Sequence, residues 1–264
     1  MRHKLKINYN NVNNVNGVNN VKVDVKSYKK EKKKGKKINV RNLLISLTLI
    51  FLLLTYNLIP IIMIPSLRSK YPDFSFNQRI AYMFVTSIIF LLFLIFIYKD
   101  SVFKNFKGFF SKNFGKYMKK AFLYWVVGIS IMLASNFILF FINNGAIAGN
   151  EKSVRELIDK APLFMLYQTV FYAPLSEELI FRRSFKDVFK NKYIYVLISG
   201  LVFGGMHVIS SASSMGDFLY IIPYSALGIA FALLYYDTDN IFTTISMHSL
   251  HNLLSIITYW VFVK

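Results

Sequence analysis

The stretch Ser176-Glu177-Glu178-Leu179-Ile180-Phe181-Arg182 decides how this chain is read. It follows a run of apolar and aromatic residues that begins at Leu163 and is broken only by a few polar positions and Pro174. Ionisable side chains inside a membrane span are costly, so they are rare unless paired or used. On a helix Glu178 and Arg182 stand four residues apart and share a face, which suits an ion pair. Glu177 lies five residues from Arg182 and points away from it. The spacing predicts two unequal acids: Glu178 neutralised by Arg182, and Glu177 free to face a partner as a general base. A helix end carrying one interfacial salt bridge is the plain alternative.

Working outward, the composition supports a membrane setting. Of 264 residues, 55% are hydrophobic, too many for an ordinary soluble domain of this size. The 26 Phe and 17 Tyr suit spans and their interfacial belts. Apolar segments occupy residues 42–65, 80–98, 121–142, 162–181, 193–209, 218–235 and 241–263. Each is near the ~20 residues needed to cross the hydrocarbon core, and in lipid such segments must be helical. The expectation is an all-α, polytopic transmembrane helix bundle of about seven spans, with six to eight as the range. The chain has no Cys, which excludes disulfides, thiol catalysis and cysteine metal ligands.

The net charge of +19 is unevenly spread. Residues 1–41 carry +11, much of it in Lys29–Lys37, and their Asn-rich start has no trustworthy period. This reads as a disordered, basic cytosolic tail that anchors to anionic lipid, ahead of a transmembrane domain at 42–264. A nucleic-acid partner is not expected, nor is a cleaved signal peptide, whose charged region would be far too long here. Residues 99–120 carry +6 and residues 182–192 carry +4, whereas 143–160 are neutral. With seven spans and the tail inside, both basic loops fall inside and the neutral one outside, the positive-inside pattern. The loop at 67–79, at +2 outside, is a small exception. Arg182 then lies near the cytosolic end of its helix, and the chemistry is expected toward that leaflet.

Two later stretches bear on the first. Phe203-Gly204-Gly205-Met206-His207 holds the single His of the fifth segment, with Phe203 one turn before it. Gly200 and Gly204 form a G-x-x-x-G pair, read as close helix packing. In His248-Ser249-Leu250-His251-Asn252, His248 shares a helix face with Asn252 and also with His251. Neutral His or Asn can donate to a developing oxyanion, and two His at this spacing can also ligate a metal. Spacing does not choose among these. Taken together, Glu, His and His on three apolar helices form a hydrolase-like or metal-binding constellation. H-E-x-x-H is absent, so a soluble-type zinc protease is not indicated. A rhomboid-type G-x-S-G and an aspartyl G-x-G-D are absent as well.

E-E-x-x-x-R at Glu177, Glu178 and Arg182, F-x-x-x-H at Phe203 and His207, and H-x-x-x-N at His248 and Asn252 resemble the CPBP family. These are the CAAX prenyl proteases and bacteriocin-processing membrane proteins, also called Abi proteins. The resemblance covers about residues 162–263 and implies an intramembrane endopeptidase acting on a membrane-associated peptide or protein. By position it makes Glu177 the catalytic glutamate that activates water with His207. It makes His248 and Asn252 the oxyanion-stabilising pair, and Glu178 with Arg182 the supporting ion pair. His251 has no place in the motif and reads as a spare or packing residue. The family is often called metalloprotease, and where zinc is held the ligands would be Glu177, His207 and His248. The alternatives are a catalytically inactive immunity or scaffold protein that keeps the fold, and a proton-coupled transporter. The Asn, Lys and Ile content suggests a low-GC bacterium, hence an integral protein of the plasma membrane with a peptide pheromone or bacteriocin leader as substrate.

Overall fold

The computed structural model describes residues 38–70, 75–209 and 211–264. The reading of residues 1–37 as a lipid-anchoring tail lies outside the described residues. Nine helices and no strand occur among the described residues. They are α1 (Val40–Lys70), α2 (Phe76–Ile97), α3 (Lys99–Phe109), α4 (Phe114–Ile142), α5 (Gly149–Lys160), α6 (162–188), α7 (Lys192–Ile209), α8 (Ile221–Thr238) and α9 (Ile241–Thr258). One 3₁₀ turn, Met215–Tyr220, leads into α8, and a π-turn, Tyr259–Val263, continues α9.

All seven apolar segments of the sequence are helical, and among the described residues four helical stretches are long and apolar enough to cross a membrane: Phe76–Ile97, Phe114–Ile142, Lys192–Ile209 and Met215–Thr238. The molecule is an all-α membrane bundle, as the composition required. Its outer helices are apolar all round, with Phe96, Phe137 and Leu133 exposed where lipid would lie. The two remaining helices, α3 and α5, are short, carry charge along one side, and fill stretches that read as loops.

α8 lies at the centre, with Ala230, Phe231, Ala232 and Leu234 all buried. Its neighbours reach it through small residues. A Cβ on Gly204 would meet Ser225 and lie 2.8 Å from the Ile221 carbonyl, and one on Gly228 would lie 2.8 Å from the Gly200 carbonyl. The glycines therefore set the close approach of α7 and α8. On the other flank, a Cβ on Gly128 of α4 would come within 2.7 Å of Ala230. The packing reading of Gly200 and Gly204 holds, and the partner is α8.

The bundle has two distinct ends. At the basic end, Arg183 Nε donates to Ser101 Oγ (2.9 Å), Lys186 pairs with Asp239 (2.7 Å) and Lys192 with Asp237 (3.0 Å). At the opposite end α5 is tied to the C-terminus, since Asp159 accepts from Tyr259 (2.8 Å) and pairs with Lys264 (2.9 Å). The Lys264 ammonium and the Tyr259 hydroxyl hold the Asp159 carboxyl below the usual carboxylate range. Tyr220 also donates to the Ala146 carbonyl there (2.7 Å).

Candidate active site

α6 is the least regular helix of the bundle. Pro162 begins it, where a missing N–H costs nothing. Two π-turns interrupt it, Gln168–Tyr172 and Glu178–Ser184, with Pro174 between them. Proline removes a donor from the helical ladder, and a widened turn is one way to absorb the defect. In the first π-turn the Ala173 N–H donates to the Gln168 carbonyl, five residues back. Continued one residue on, that pattern would ask Pro174 to donate to Thr169, which it cannot do. Asn252 of α9 makes good the loss, its Nδ2 donating to the Thr169 carbonyl at 2.8 Å.

The second π-turn begins at Glu178. Its side chain and that of Arg182 are fully buried, with Arg182 Nε 3.2 Å from Glu178 Oε2. Arg182 Nη1 also donates to Ser199 Oγ (3.2 Å), and Ser199 donates in turn to the Phe181 carbonyl (2.7 Å). The guanidinium lies over the Phe203 ring, 4.6 Å from its centroid. The other carboxylate oxygen, Oε1, lies 3.0 Å from His248 Nδ1. A carboxylate paired with arginine only accepts, so Nδ1 carries the proton and Nε2 is left to face elsewhere. It faces Glu177, with Nε2 3.8 Å from Oε2. That exceeds hydrogen-bond length, and Glu177 Oε2 is buried without a hydrogen-bond partner.

His248 thus stands between the two acids, and the acids differ as their spacing foretold. Glu178 is locked to Arg182 and His248. Glu177 lines a cavity of about 340 Å³ together with His207, His248 and Asn252, whereas Glu178 and Arg182 are not on its wall. His207 Nδ1 donates to the Phe203 carbonyl (2.9 Å), leaving its Nε2 as an acceptor. Its ring stacks on Tyr224, centroids 4.8 Å apart. Six predicted residues therefore fall into two groups: four on the cavity wall, and an ion pair behind it. His251, outside the motif, also reaches the cavity, but its Nδ1 accepts from Trp125 Nε1 of α4 (3.3 Å).

The sequence did not single out several contributors. Ser199 was legible, since it precedes Phe203 and His207 at i−4 and i−8 on one face of α7. Gln168 and Thr169 had no signal apart from Pro174 downstream. Asn150, Glu151 and Arg155 of α5 line the cavity and came from a stretch read as a neutral loop. They also refine the expected depth of the chemistry. Arg182 and His248 sit toward the basic end, His248 two turns into α9. The open volume runs the other way, past Ser255 and Tyr259 to α5.

Among the described residues, no three His, Cys, Asp or Glu side chains gather closely enough to hold a metal ion. Glu177, His207 and His248 share a cavity without forming a ligand set.

Comparison with known proteins agrees with the motifs. Residues 159–254 match the family model for "Type II CAAX prenyl endopeptidase Rce1-like", a span containing all seven motif residues. An uncharacterized protein of Mycoplasma capricolum is 34% identical over 90 residues, covering 34% of this chain and 25% of that protein. The UPF0177 protein YbdJ of Lactococcus lactis is 29% identical over 205 residues, 72% of this chain and 82% of its own. The "Putative membrane peptidase YdiL" of Bacillus subtilis is 26% identical over 148 residues, 55% of this chain and 51% of its own. The chain thus spans a quarter of the Mycoplasma protein and about half of the Bacillus one. No solved structure matches. The motif-bearing segment 159–254 of this integral membrane protein is accordingly similar to the Rce1-like, CAAX-protease-type family that the three motifs resemble.

Proposed function

We propose that the chain is an intramembrane endopeptidase in which Glu177 and His207 activate water against a peptide bond of a membrane-associated substrate. The observation that carries this is the asymmetry of the two acids. Glu177 lines the cavity with its nearest charged neighbour, His248 Nε2, 3.8 Å away, while Glu178 lies off the wall, held by Arg182 at 3.2 Å and His248 at 3.0 Å. In a purely structural cluster both acids would be paired, because an unpaired buried carboxylate is costly.

The proton bookkeeping is simple. With His248 neutral and Glu177 protonated, Glu178 and Arg182 cancel and the site is uncharged. With Glu177 ionised and His248 doubly protonated, the four charges again sum to zero. One proton moving between Glu177 and His248 therefore costs no net buried charge. In the reaction Glu177, assisted by the free Nε2 of His207, takes a proton from water. The water oxygen attacks the scissile carbonyl, and the oxyanion is met by His248 Nε2–H. Asn252 is the second candidate donor, with the amide hydrogen not used on Thr169. Glu177 then delivers its proton to the leaving amine as the C–N bond breaks, giving a new carboxylate and a free amine.

Metal-assisted hydrolysis through Glu177, His207 and His248 is the competing mechanism. A chelator that abolishes activity, with zinc restoring it, would establish that mechanism in place of this one. For topology, the positive-inside pattern supports a cytoplasmic N-terminus in a bacterial plasma membrane. The composition and the bacterial sources of the three relatives agree with a bacterial setting, in which a pheromone, bacteriocin leader or similar peptide is the proposed substrate.

The test compares the membrane peptidome of cells expressing wild type, Glu177→Ala or His207→Ala at equal protein levels. Peptides that accumulate uncut in both variants, and whose fragments vanish, support the peptidase. Unchanged peptidomes with biological activity retained would point to a scaffold or immunity protein. Flux driven by a pH gradient in liposomes would identify a transporter.

A further inference from the structure

The short helix α3 is joined to α2 through the single residue Tyr98 and to α4 by residues 110–113, so it is held at the membrane boundary. It lies across the basic end of the bundle. Ser101 meets Arg183 of α6. Asn240 donates to the Asn105 carbonyl (2.8 Å), and the Ile241 N–H donates to Asn105 Oδ1 (2.7 Å) at the start of α9. Phe109 is buried beside Phe242. These contacts fix which side of α3 faces the protein.

The opposite side is unlike an ordinary solvated face. Phe103, Phe106 and Phe110 form one stripe, at i, i+3 and i+7, and are 64%, 50% and 66% exposed, with Phe106 at the edge nearer the protein, 5.3 Å from the Phe242 ring. Exposed lysines, Lys104 and Lys107, flank the stripe, and Lys112 and Lys116 follow it. Among the described residues none of these four lysines pairs with a carboxylate, whereas Lys186 and Lys192 at the same end are neutralised by Asp239 and Asp237. A helix with aromatic residues on its free face, flanked by unpaired cations and pinned between two spans, fits the boundary between headgroups and acyl chains.

We propose that α3 is a docking surface for anionic phospholipid. Lys104, Lys107, Lys112 and Lys116 hold the headgroups, and Phe103, Phe106 and Phe110 enter the acyl boundary. This site draws on no residue of 1–37 and does not depend on peptidase activity. It would seat the basic end at a fixed depth and keep α9, whose first turn Asn105 caps, in register with α6.

The experiment places a reporter, Phe103→Trp, in the full-length protein reconstituted into phosphatidylcholine vesicles. Fluorescence from Trp125 and Trp260 is subtracted using the parent chain. Brominated phosphatidylglycerol and brominated phosphatidylcholine are compared as quenchers at equal mole fraction. The proposal expects stronger quenching by phosphatidylglycerol, weakened by added salt. Each lysine near an anionic surface is worth roughly fivefold in affinity, so changing Lys104, Lys107, Lys112 and Lys116 together to Gln should erase the preference, while the four Lys→Arg changes keep it. Should the Gln quadruple variant fail to reconstitute, Lys107→Gln alone should cost about fivefold. Equal quenching by the two lipids, quenching by neither, or a preference that survives neutralisation would overturn the proposal.

Discussion

Glu177 and Glu178 are adjacent in sequence and opposite in circumstance. Glu178 and Arg182 are wholly enclosed, and breaking a buried pair leaves an uncompensated charge. Arg182→Ala or Glu178→Gln should therefore lower stability by about 3–5 kcal/mol, read as a fall in thermal midpoint in detergent. Glu177→Gln removes no ion pair with arginine and should leave that midpoint within the scatter of wild type. A Glu178→Gln variant as stable as wild type would contradict the account of the pair. This division was legible from i, i+4 spacing alone. The place of His248 was not: 70 residues separate it from Glu178, and spacing along α9 left His248 free to team with either His251 or Asn252. Trp125, on a distant helix, takes His251 out of contention, and no local pattern encodes that.

At the scale of the element, α6 shows how a helix is bent to serve its neighbours. Pro174 denies the Thr169 carbonyl a backbone donor, and Asn252 replaces it. Asn252→Ala should cost about 1–3 kcal/mol by orphaning that carbonyl. Pro174→Ala restores an N–H, so the double variant should lose less than the two single changes predict. A coupling energy of about 0.5–3 kcal/mol in a double-mutant cycle is expected, and strict additivity would show that the two residues do not share this carbonyl. Gly204 makes the complementary point on α7. Gly204→Ala brings a methyl against Ser225 and the Ile221 carbonyl, and should cost about 1–3 kcal/mol by prying α7 from α8. Glycine spacing in the sequence announced a close contact, but only the fold named α8 as the partner. The π-turns were not legible, because a proline tells where a ladder fails and not how the chain accommodates it.

For the molecule as a whole, the seven apolar segments gave the bundle, and the charge of its loops separated its two ends. The helices α3 and α5 escaped because short charged segments resemble loops until something packs on them. With α5 went the upper wall of the cavity. The absence of cysteine makes sidedness directly measurable. In intact cells an impermeant maleimide should label Ser153→Cys on α5 and leave Asn113→Cys, at the basic end, unlabelled. The reverse pattern would place the basic loops outside and overturn the proposed orientation.

The central claim is that Glu177 activates a water molecule for hydrolysis while taking no part in holding the fold. Purified wild type and Glu177→Gln, matched in thermal midpoint, should be incubated in heavy-oxygen water with the peptides that accumulate in the variant cells. The account predicts that wild type yields fragments whose new carboxylate carries one heavy oxygen. It predicts a rate lower by roughly 10²–10⁴-fold in Glu177→Gln, the loss typical of a removed general base. Cleavage at the wild-type rate by Glu177→Gln, or fragments free of heavy oxygen, would contradict it.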